Sequence, residues 1–433
     1  DMSKLPRRSF LACAAAPFVF RGADARPAPS ERITLGMIGV GSMGLRHVQG
    51  FLQEPDCQIL CICDVDAARR RAAAEAVNKQ YDTADCRQVG DFREAIADRG
   101  LDALVISIPD HWHAAASIPA VLAGKDVYGE KPLALTIPEG RAMVEAVRRA
   151  GIVWQMGSWQ RSTTHFRVAC ELVRNGRIGK LVRVEVGLAD GFRPQGAPRP
   201  LYRLDTPPPM PVPPGLDYEM WLGPAPWAPY TELRCHWNFR WILDYSGGQV
   251  TDDGAHQIDI AHWGMDADGT GPVEVEGTGE FPDGLWDAAA RYRFACRYAN
   301  GLVMDVASVN YLRGGTRFIG ETGWIHVDRE RMTASAPWLL KERIGPDEIH
   351  LASPAEGHRQ GHRRDFLDCV RTRRTPITPI EIGHRSVAVA HLGNIAMLAG
   401  RKIRWDPARE EILGDPAAAR MLHRPLREPW SYG

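Results

Sequence analysis

Three short groups of residues in this sequence have the types and spacing to do chemistry. Gly39-Val40-Gly41-Ser42-Met43-Gly44 is a GxGxxG run that continues the apolar stretch Ile33 to Val40. Glycines at this spacing let a chain turn tightly off a strand and bring backbone N–H groups close to a pyrophosphate, and a helix N-terminus adds positive partial charge. Asp64 stands twenty residues after Gly44, at the end of the apolar run Gln58 to Cys63. A carboxylate there bonds a ribose 2′-OH and repels a 2′-phosphate. No Arg directly follows it, so NAD is expected ahead of NADP. The second group is Gly129-Glu130-Lys131-Pro132, after the strand-like Asp126 to Tyr128. Ligands of open α/β sheets bind beyond the carboxyl ends of strands, so Lys131 is expected beside a nicotinamide rather than in a core. A Lys–Pro bond also permits a cis peptide or a rigid turn. Third, Asp252 and His256 stand four apart at an expected helix start, where both share one face. His is the natural proton acceptor near neutral pH. Asp252 as a helix N-cap and His256 as a structural histidine remain open.

The elements needed to hold these groups alternate as strands and helices. Strands are expected at 33–40, 58–63, 101–108, 126–128 and 152–156, and helices at 45–53, 67–79, 92–98, 114–123 and 138–150. That pattern is a doubly wound parallel sheet. Strand-like runs at 273–281, 287–298, 302–310 and 315–327 predict a second sheet, followed by helices at 359–371 and 381–400. Residues 194–229 are proline-rich and predict a long rigid excursion that caps the site, reaches a neighbouring subunit or is a plain surface loop. The domains expected are 1–25, an export signal; 32–156, a dinucleotide-binding domain; 157–400, a substrate and oligomerisation domain; and 401–433, an irregular tail packing back on the body.

Composition narrows the function classes. The chain has 433 residues, 44% hydrophobic and 24% charged, with 53 Lys plus Arg balancing 53 Asp plus Glu. With no net charge and no long basic run, neither nucleic acid nor an anionic membrane surface is an expected partner. No stretch is long and apolar enough to span a bilayer. Cys57, Cys61 and Cys63 crowd one strand without CxxC spacing, which reads as buried small hydrophobes rather than a disulfide framework. His256, Asp259 and His262 lie on one helix face, but with no HExxH and no cysteine partner no metal is expected. Arg7-Arg8-Ser9-Phe10-Leu11, the short apolar run to Phe20 and Ala23-Asp24-Ala25 together read as a twin-arginine export signal. Such a route carries folded, cofactor-loaded proteins to the periplasm.

In this order, GVGSMG at 39–44, IPDHWH at 108–113, AGKDVYGEKPLA at 123–134 and DDGAH at 252–256 resemble the glucose–fructose oxidoreductase / inositol dehydrogenase (Gfo/Idh/MocA) family. The resemblance covers nearly all of the chain after residue 25. It implies an N-terminal Rossmann domain and a C-terminal α/β domain whose open, mostly antiparallel sheet often mediates oligomerisation, hence a homo-oligomer. It implies that Lys131 contacts the substrate hydroxyl and the nicotinamide ribose, beside Glu130. Pro109 and His113 match the family's loop beside the cofactor, although His113 also suits a plain helix start. The family's D-x-G-x-H pattern falls on Asp252 and His256. Softer candidates for a sugar pocket are Trp159, Gln160 and Arg161, and the cluster Trp237, Asn238, Arg240 and Trp241, since aromatic faces suit the C–H side of a pyranose and Arg or Gln its hydroxyls. Core packing is the competing reading of these tryptophans.

The function expected is NAD-dependent oxidation of a secondary hydroxyl of a sugar, sugar derivative or cyclitol. Outside the cytoplasm no pool of free NAD regenerates the cofactor, so tight retention is expected. The alternative is a redox-neutral NAD-dependent glycosidase acting through a transient 3-keto-sugar. Family glycosidases often depart from the EKP lysine, which this chain keeps. A third class, a non-catalytic sensor, has no need of Lys131 with His256.

Overall fold

A computed structural model of the chain describes residues 31–195, 199–354 and 358–432; the export signal expected over 1–25 lies outside them. The apolar runs of the first half pair in parallel as β1 (Ile33–Ile38), β2 (Cys57–Cys63), β3 (Arg87–Val89), β4 (Ala103–Ile106), β5 (Asp126–Gly129) and β6 (Trp154–Met156). The strand order β3-β2-β1-β4-β5-β6 reverses direction between β1 and β4. That switch opens a crevice beyond the carboxyl ends of these two strands. Helices α1 (Ser42–Phe51), α2 (Ala67–Tyr81), α3 (Phe92–Ala97), α4 (His113–Leu122) and α5 (Ile137–Ala150) make the crossovers. Their ends follow local chemistry. The Asp66 carboxylate accepts the Ala68 and Arg69 N–H groups at the start of α2. Thr136 caps α5, and Gly151 closes it in the left-handed conformation. In contrast, α1 has Gly41 as N-cap and no side-chain cap. It also begins at Ser42 rather than the expected Leu45, because Gly44 is accommodated inside the helix.

The second half contains α6 (Thr164–Arg174), β7 (Leu181–Leu188), α7 (Tyr218–Leu222), α8 (Gln249–Asp252), α9 (Gly254–Met265) and β8 (Glu274–Glu280). The remainder is β9 (Arg291–Arg297), β10 (Val303–Ser308), β11 (Gly315–Gly320), β12 (Trp324–Val327), β13 (Met332–Ala334), α10 (His358–Thr372), α11 (Ile380–Ala399), β14 (Ile403–Asp406), β15 (Glu411–Ile412) and α12 (Pro416–Arg420). The strands form one sheet in the order β13-β12-β11-β7-β10-β9-β8-β14-β15. Only β7 and β10 pair in parallel, so the sheet is mixed and mostly antiparallel. Period-two alternation explains its faces. In β9, Tyr292, Phe294 and Cys296 are buried toward the covering helices, while Arg293 and Arg297 point away and are exposed. Two expectations need correction. The run 315–327 is two strands, because Gly320 donates to the Gly323 carbonyl at 2.9 Å and turns the chain back. The tail is not wholly irregular: β14 pairs with β8, and Trp405 and Ile412 enter the core.

The halves are tied at several points. The nearly wholly buried α11 packs on α9 and β8 and also on α5. Phe366, Leu367 and Cys369 of α10 join the cluster of Leu35, Phe51 and Tyr128 beneath β1. Near the end of the chain, Trp430 lies 4.6 Å from Trp112, centroid to centroid, and the Tyr432 hydroxyl donates to Glu139. The proline-rich excursion also returns to the first domain: the Asp217 N–H donates to the Val65 carbonyl at 3.0 Å, and Leu216 bridges to Asp66. The Trp221 carbonyl takes bonds from His111 Nε2 at 3.1 Å and Trp112 Nε1 at 3.0 Å. The eight described cysteines are buried, and none of them is in a disulfide.

A Cβ at Gly44 would stand 2.0 Å from the Gly39 carbonyl oxygen. Gly44→Ala is therefore expected to cost about 1–3 kcal/mol and to weaken NAD binding. Melting temperature and NAD titration check this; both unchanged would refute the close approach.

Candidate active site

A cavity of about 470 Å³ lies between the crevice and the second domain. At one end it is lined by Gly39, Gly41, Ser42 and Met43. Gly39 has φ +81°, and a Cβ there would meet the Ser107 carbonyl at 2.5 Å, so only glycine fits. Gly44 is not part of the lining; it packs under Gly39. The uncapped N-terminus of α1 therefore presents N–H groups and positive partial charge to the cavity. Asp64 lines the same end, with Oδ2 accepting the Val40 N–H at 2.8 Å and Oδ1 the Asp66 N–H at 2.9 Å. Each oxygen keeps a lone pair for a hydroxyl. Burial raises the Asp64 carboxyl, and these two bonds only partly oppose it. An Arg69 nitrogen stands 3.1 Å from where a Gly41 Cβ would be, which puts a cation at the phosphate end. A bare helix start, a Cβ-free approach and a hydroxyl acceptor fit a dinucleotide such as NAD. The excursion closes this end through Met220 and Trp221, which line the cavity along with Asp64, Phe92 and the later His236.

At the other end stands Lys131, whose bond to Pro132 is cis. Its ammonium donates to Asp252 Oδ1 at 2.6 Å and to the Asp252 carbonyl at 2.8 Å. An ammonium has three N–H groups, so one is left for a ligand. Burial alone would raise the Asp252 carboxyl, but the Lys131 and Arg240 charges outweigh it and hold the group well below the usual carboxylate range. Asp252 ends α8 and caps no helix by its side chain, nor does it hydrogen-bond His256. His256 lines the cavity, and its Nδ1 is buried with no partner. Burial, then the charges of Lys131 and Arg329, push its imidazole well below the ordinary histidine value. Glu130 is held by His47 at 2.7 Å and by the Lys131 N–H at 3.2 Å. Pro109 lines the cavity, whereas His113 lies behind it, 2.7 Å from the Pro132 carbonyl and 2.9 Å from the Ile108 carbonyl. His113 thus ties the two loops together and touches no ligand space.

The sugar-pocket candidates divide. Trp237 and Arg240 line the cavity, with the Arg240 guanidinium 4.4 Å from the Trp237 ring centroid and 3.3 Å from Asp252. Trp159 lines it as well. Gln160 and Arg161 do not. The turn Trp159–Ser162 points Arg161 into the core, where it is 1% exposed and bonded to Asp259 at 2.8 Å and Asp268 at 2.6 Å. With its amide oriented to satisfy both neighbours, Gln160 donates to the His256 carbonyl at 3.1 Å and accepts from Arg329 at 3.2 Å. Of the helix-face trio, Asp259 serves Arg161 and His262 bonds the Tyr298 hydroxyl at 2.6 Å. Sequence reasoning missed Arg46, Arg69, Arg329 and Arg359 in the lining. Arg69 lay within reach of the GxGxxG argument, but Arg329 and Arg359 sit in segments without a motif.

Comparison with known proteins agrees with this architecture. Residues 33–158 match the profile of an oxidoreductase family's NAD-binding Rossmann fold (Gfo/Idh/MocA), and residues 162–432 that family's C-terminal alpha/beta domain. A scyllo-inositol 2-dehydrogenase (NAD(+)) of Bacillus subtilis is 28% identical over 170 residues, 39% of this chain and 46% of that protein. An alpha-N-acetylgalactosaminidase of Shewanella oneidensis is 29% identical over 166 residues, 38% of this chain and 36% of that protein. The chain thus spans less than half the length of these curated relatives. The WlbA dehydrogenase of Bordetella pertussis, solved with NADH and UDP-GlcNAcA, has a TM-score of 0.63 at 20% identity, covering 87% of this chain and 99% of its own. An aldose-aldose oxidoreductase of Caulobacter crescentus, solved with glycerol, scores 0.62 at 19% identity, covering 86% and 99%.

If Arg161 is a structural ion-pair residue, Arg161→Met leaves Asp259 buried and unpaired. It is expected to cost about 3–5 kcal/mol in chemical denaturation while the folded enzyme keeps its KM. A KM raised about tenfold at unchanged stability would return Arg161 to the substrate pocket.

Proposed function

Because the chain belongs to the Gfo/Idh/MocA oxidoreductase family, we propose that it is an NAD-dependent enzyme that oxidises a secondary hydroxyl of a sugar, sugar derivative or cyclitol. The observation that carries this reading is that Lys131 and His256 face one cavity with the dinucleotide cradle. NAD, when bound, supplies the acceptor for a hydride from the carbinol carbon. The chain's own residues do the rest. Asp252 keeps the Lys131 ammonium in place by two bonds. The remaining Lys131 N–H is available to the substrate oxygen as negative charge develops there. His256, held neutral by burial and nearby cations, is the group able to take the hydroxyl proton. Asp64 supports NAD over NADP.

The covering of the nucleotide end by Met220, Trp221 and His236 supports a cofactor retained between turnovers. That suits the periplasmic location proposed from Arg7-Arg8. The exposed face of the nine-stranded sheet, with its crossed pairs such as Arg183–Asp305 at 2.8 Å, supports self-association as a homo-oligomer. The second reading is a redox-neutral glycosidase working through a keto-sugar, favoured by the galactosaminidase relative and by cofactor retention. Product analysis of the purified protein on glycosides and free sugars in D₂O separates the two. A keto-sugar or lactone formed when NAD or a second sugar is supplied is the expected outcome. Glycoside cleavage with deuterium at C2 and no net NADH would replace it with the second reading.

Two further outcomes are expected. Lys131→Met and His256→Ala each lower kcat by about 10²–10⁴-fold, and His256→Ala leaves NAD titration unchanged. Loss of NAD binding instead would make His256 part of the cofactor seat only. His256 has a lowered proton affinity, so its base form is lost only as pH falls through that low value. The acid limb of kcat/KM is therefore expected below the ordinary histidine range. A limb at or above about 6.5 would assign the proton to another group.

A further inference from the structure

The end of the cavity around Trp159 holds more positive charge than its surroundings neutralise. The Arg359 guanidinium lies 4.5 Å and the Arg329 guanidinium 5.8 Å from the Trp159 ring centroid, and both line the cavity. His256 meets the same indole edge-on, centroid to centroid 6.1 Å. Among the described residues no carboxylate pairs with Arg359, and its Nε is buried without a hydrogen-bond partner. Arg329 is half exposed and makes only a long ion pair, 3.7 Å, with Asp253. Burial first, then repulsion from Arg46, weakens proton binding at Arg359. Charges held close together and partly out of water are costly unless a counter-charge arrives.

The cofactor's own pyrophosphate is the rival counter-charge, because Arg359 comes from α10, which packs on α1, and is repelled by Arg46 of that helix, but the Trp159 end of the cavity is offset from it. The pyrophosphate seat at Gly41 is over β1, and Trp159 follows β6, three strands along the sheet, about 14 Å at the usual strand spacing. Arg69 already stands beside Gly41. A guanidinium presents a planar fork that matches carboxylate and phosphate oxygens in pairs. A neutral polyol offers nothing to neutralise two such groups.

We propose that the substrate is an acidic sugar, with its carboxylate or phosphate ester seated between Arg329 and Arg359 against Trp159, at the same end of the cavity as the hydroxyl that faces His256. This rests on the oxidoreductase reading for the identity of the reacting carbon. The seat itself is tested by binding.

The experiment is calorimetric titration of the NAD-loaded full chain, alongside product formation. The probes are D-glucose, D-glucuronate, D-glucose 6-phosphate and their galactose counterparts. One acidic class is expected to bind at least about tenfold more tightly than its neutral parent. Glucuronate or galacturonate ahead identifies a carboxylate, and a 6-phosphate ahead a phosphate ester. Arg359→Gln is expected to abolish the preference with NAD titration unchanged, and Arg359→Lys to restore part of it. Equal binding of acidic and neutral sugars, or preference for a neutral one, overturns the proposal. So does an Arg359→Gln variant that loses NAD while keeping the acidic preference, because the guanidinium then serves the cofactor. An acidic preference without oxidation of any sugar keeps the seat and removes the oxidoreductase reading. Oxidation of neutral sugars without that preference does the reverse.

Discussion

The ammonium of Lys131 leaves the loop after β5, the carboxylate of Asp252 ends α8, and they meet at 2.6 Å across the two halves of the chain. Taking either ion out of water costs several kcal/mol, returned only while the pair keeps good geometry. The rest of the architecture can be understood as what maintains that geometry. His113 fixes the loop carrying Lys131 by binding two carbonyls from behind. Arg240 donates to the same Asp252 oxygen at 3.3 Å. Further away, α11 packs against α5 and α9 together, so the halves cannot slide without disturbing a buried helix.

The same dryness assigns opposite protonation states to neighbours. Asp252 stays ionised because two cations face it. His256 stays neutral because cations surround it in a buried place. Asp110, buried with a hydrogen bond from Ser246 at 2.6 Å, is pushed up to about 6 by burial, with His113 pulling the other way. Groups with ordinary affinities in water thus separate into a fixed anion, a free base and a near-neutral acid within one crevice.

How far the sequence disclosed this depended on distance along the chain. The dinucleotide cradle is a local device: Gly39, Gly41, Gly44 and Asp64 lie on two successive βα units, and the backbone alone fixes their relation. Lys131 was legible because its place at the end of a strand determines where it goes. Side-chain direction was not legible. Trp159, Gln160 and Arg161 are consecutive, yet a single 3₁₀ turn sends the first to the cavity and the third to Asp259 and Asp268. Asp252 and His256, expected on one helical face, do both line the cavity, but that Asp252 pairs with Lys131 from the other half of the chain was not legible. Arg329 and Arg359 reach the cavity only through the packing of the second domain, which no periodicity encodes.

The first domain is also incomplete in itself. Phe366, Leu367 and Cys369 fill space beneath β1 beside Phe51 and Tyr128, and Trp430 covers Trp112. A ribosome releases these segments hundreds of residues after β1. The nascent dinucleotide fold must wait with an open apolar flank, which is the kind of surface that draws chaperones and invites aggregation. Assembly of the dinucleotide domain is consequently a late event, completed only when α10 and Trp430 return to it.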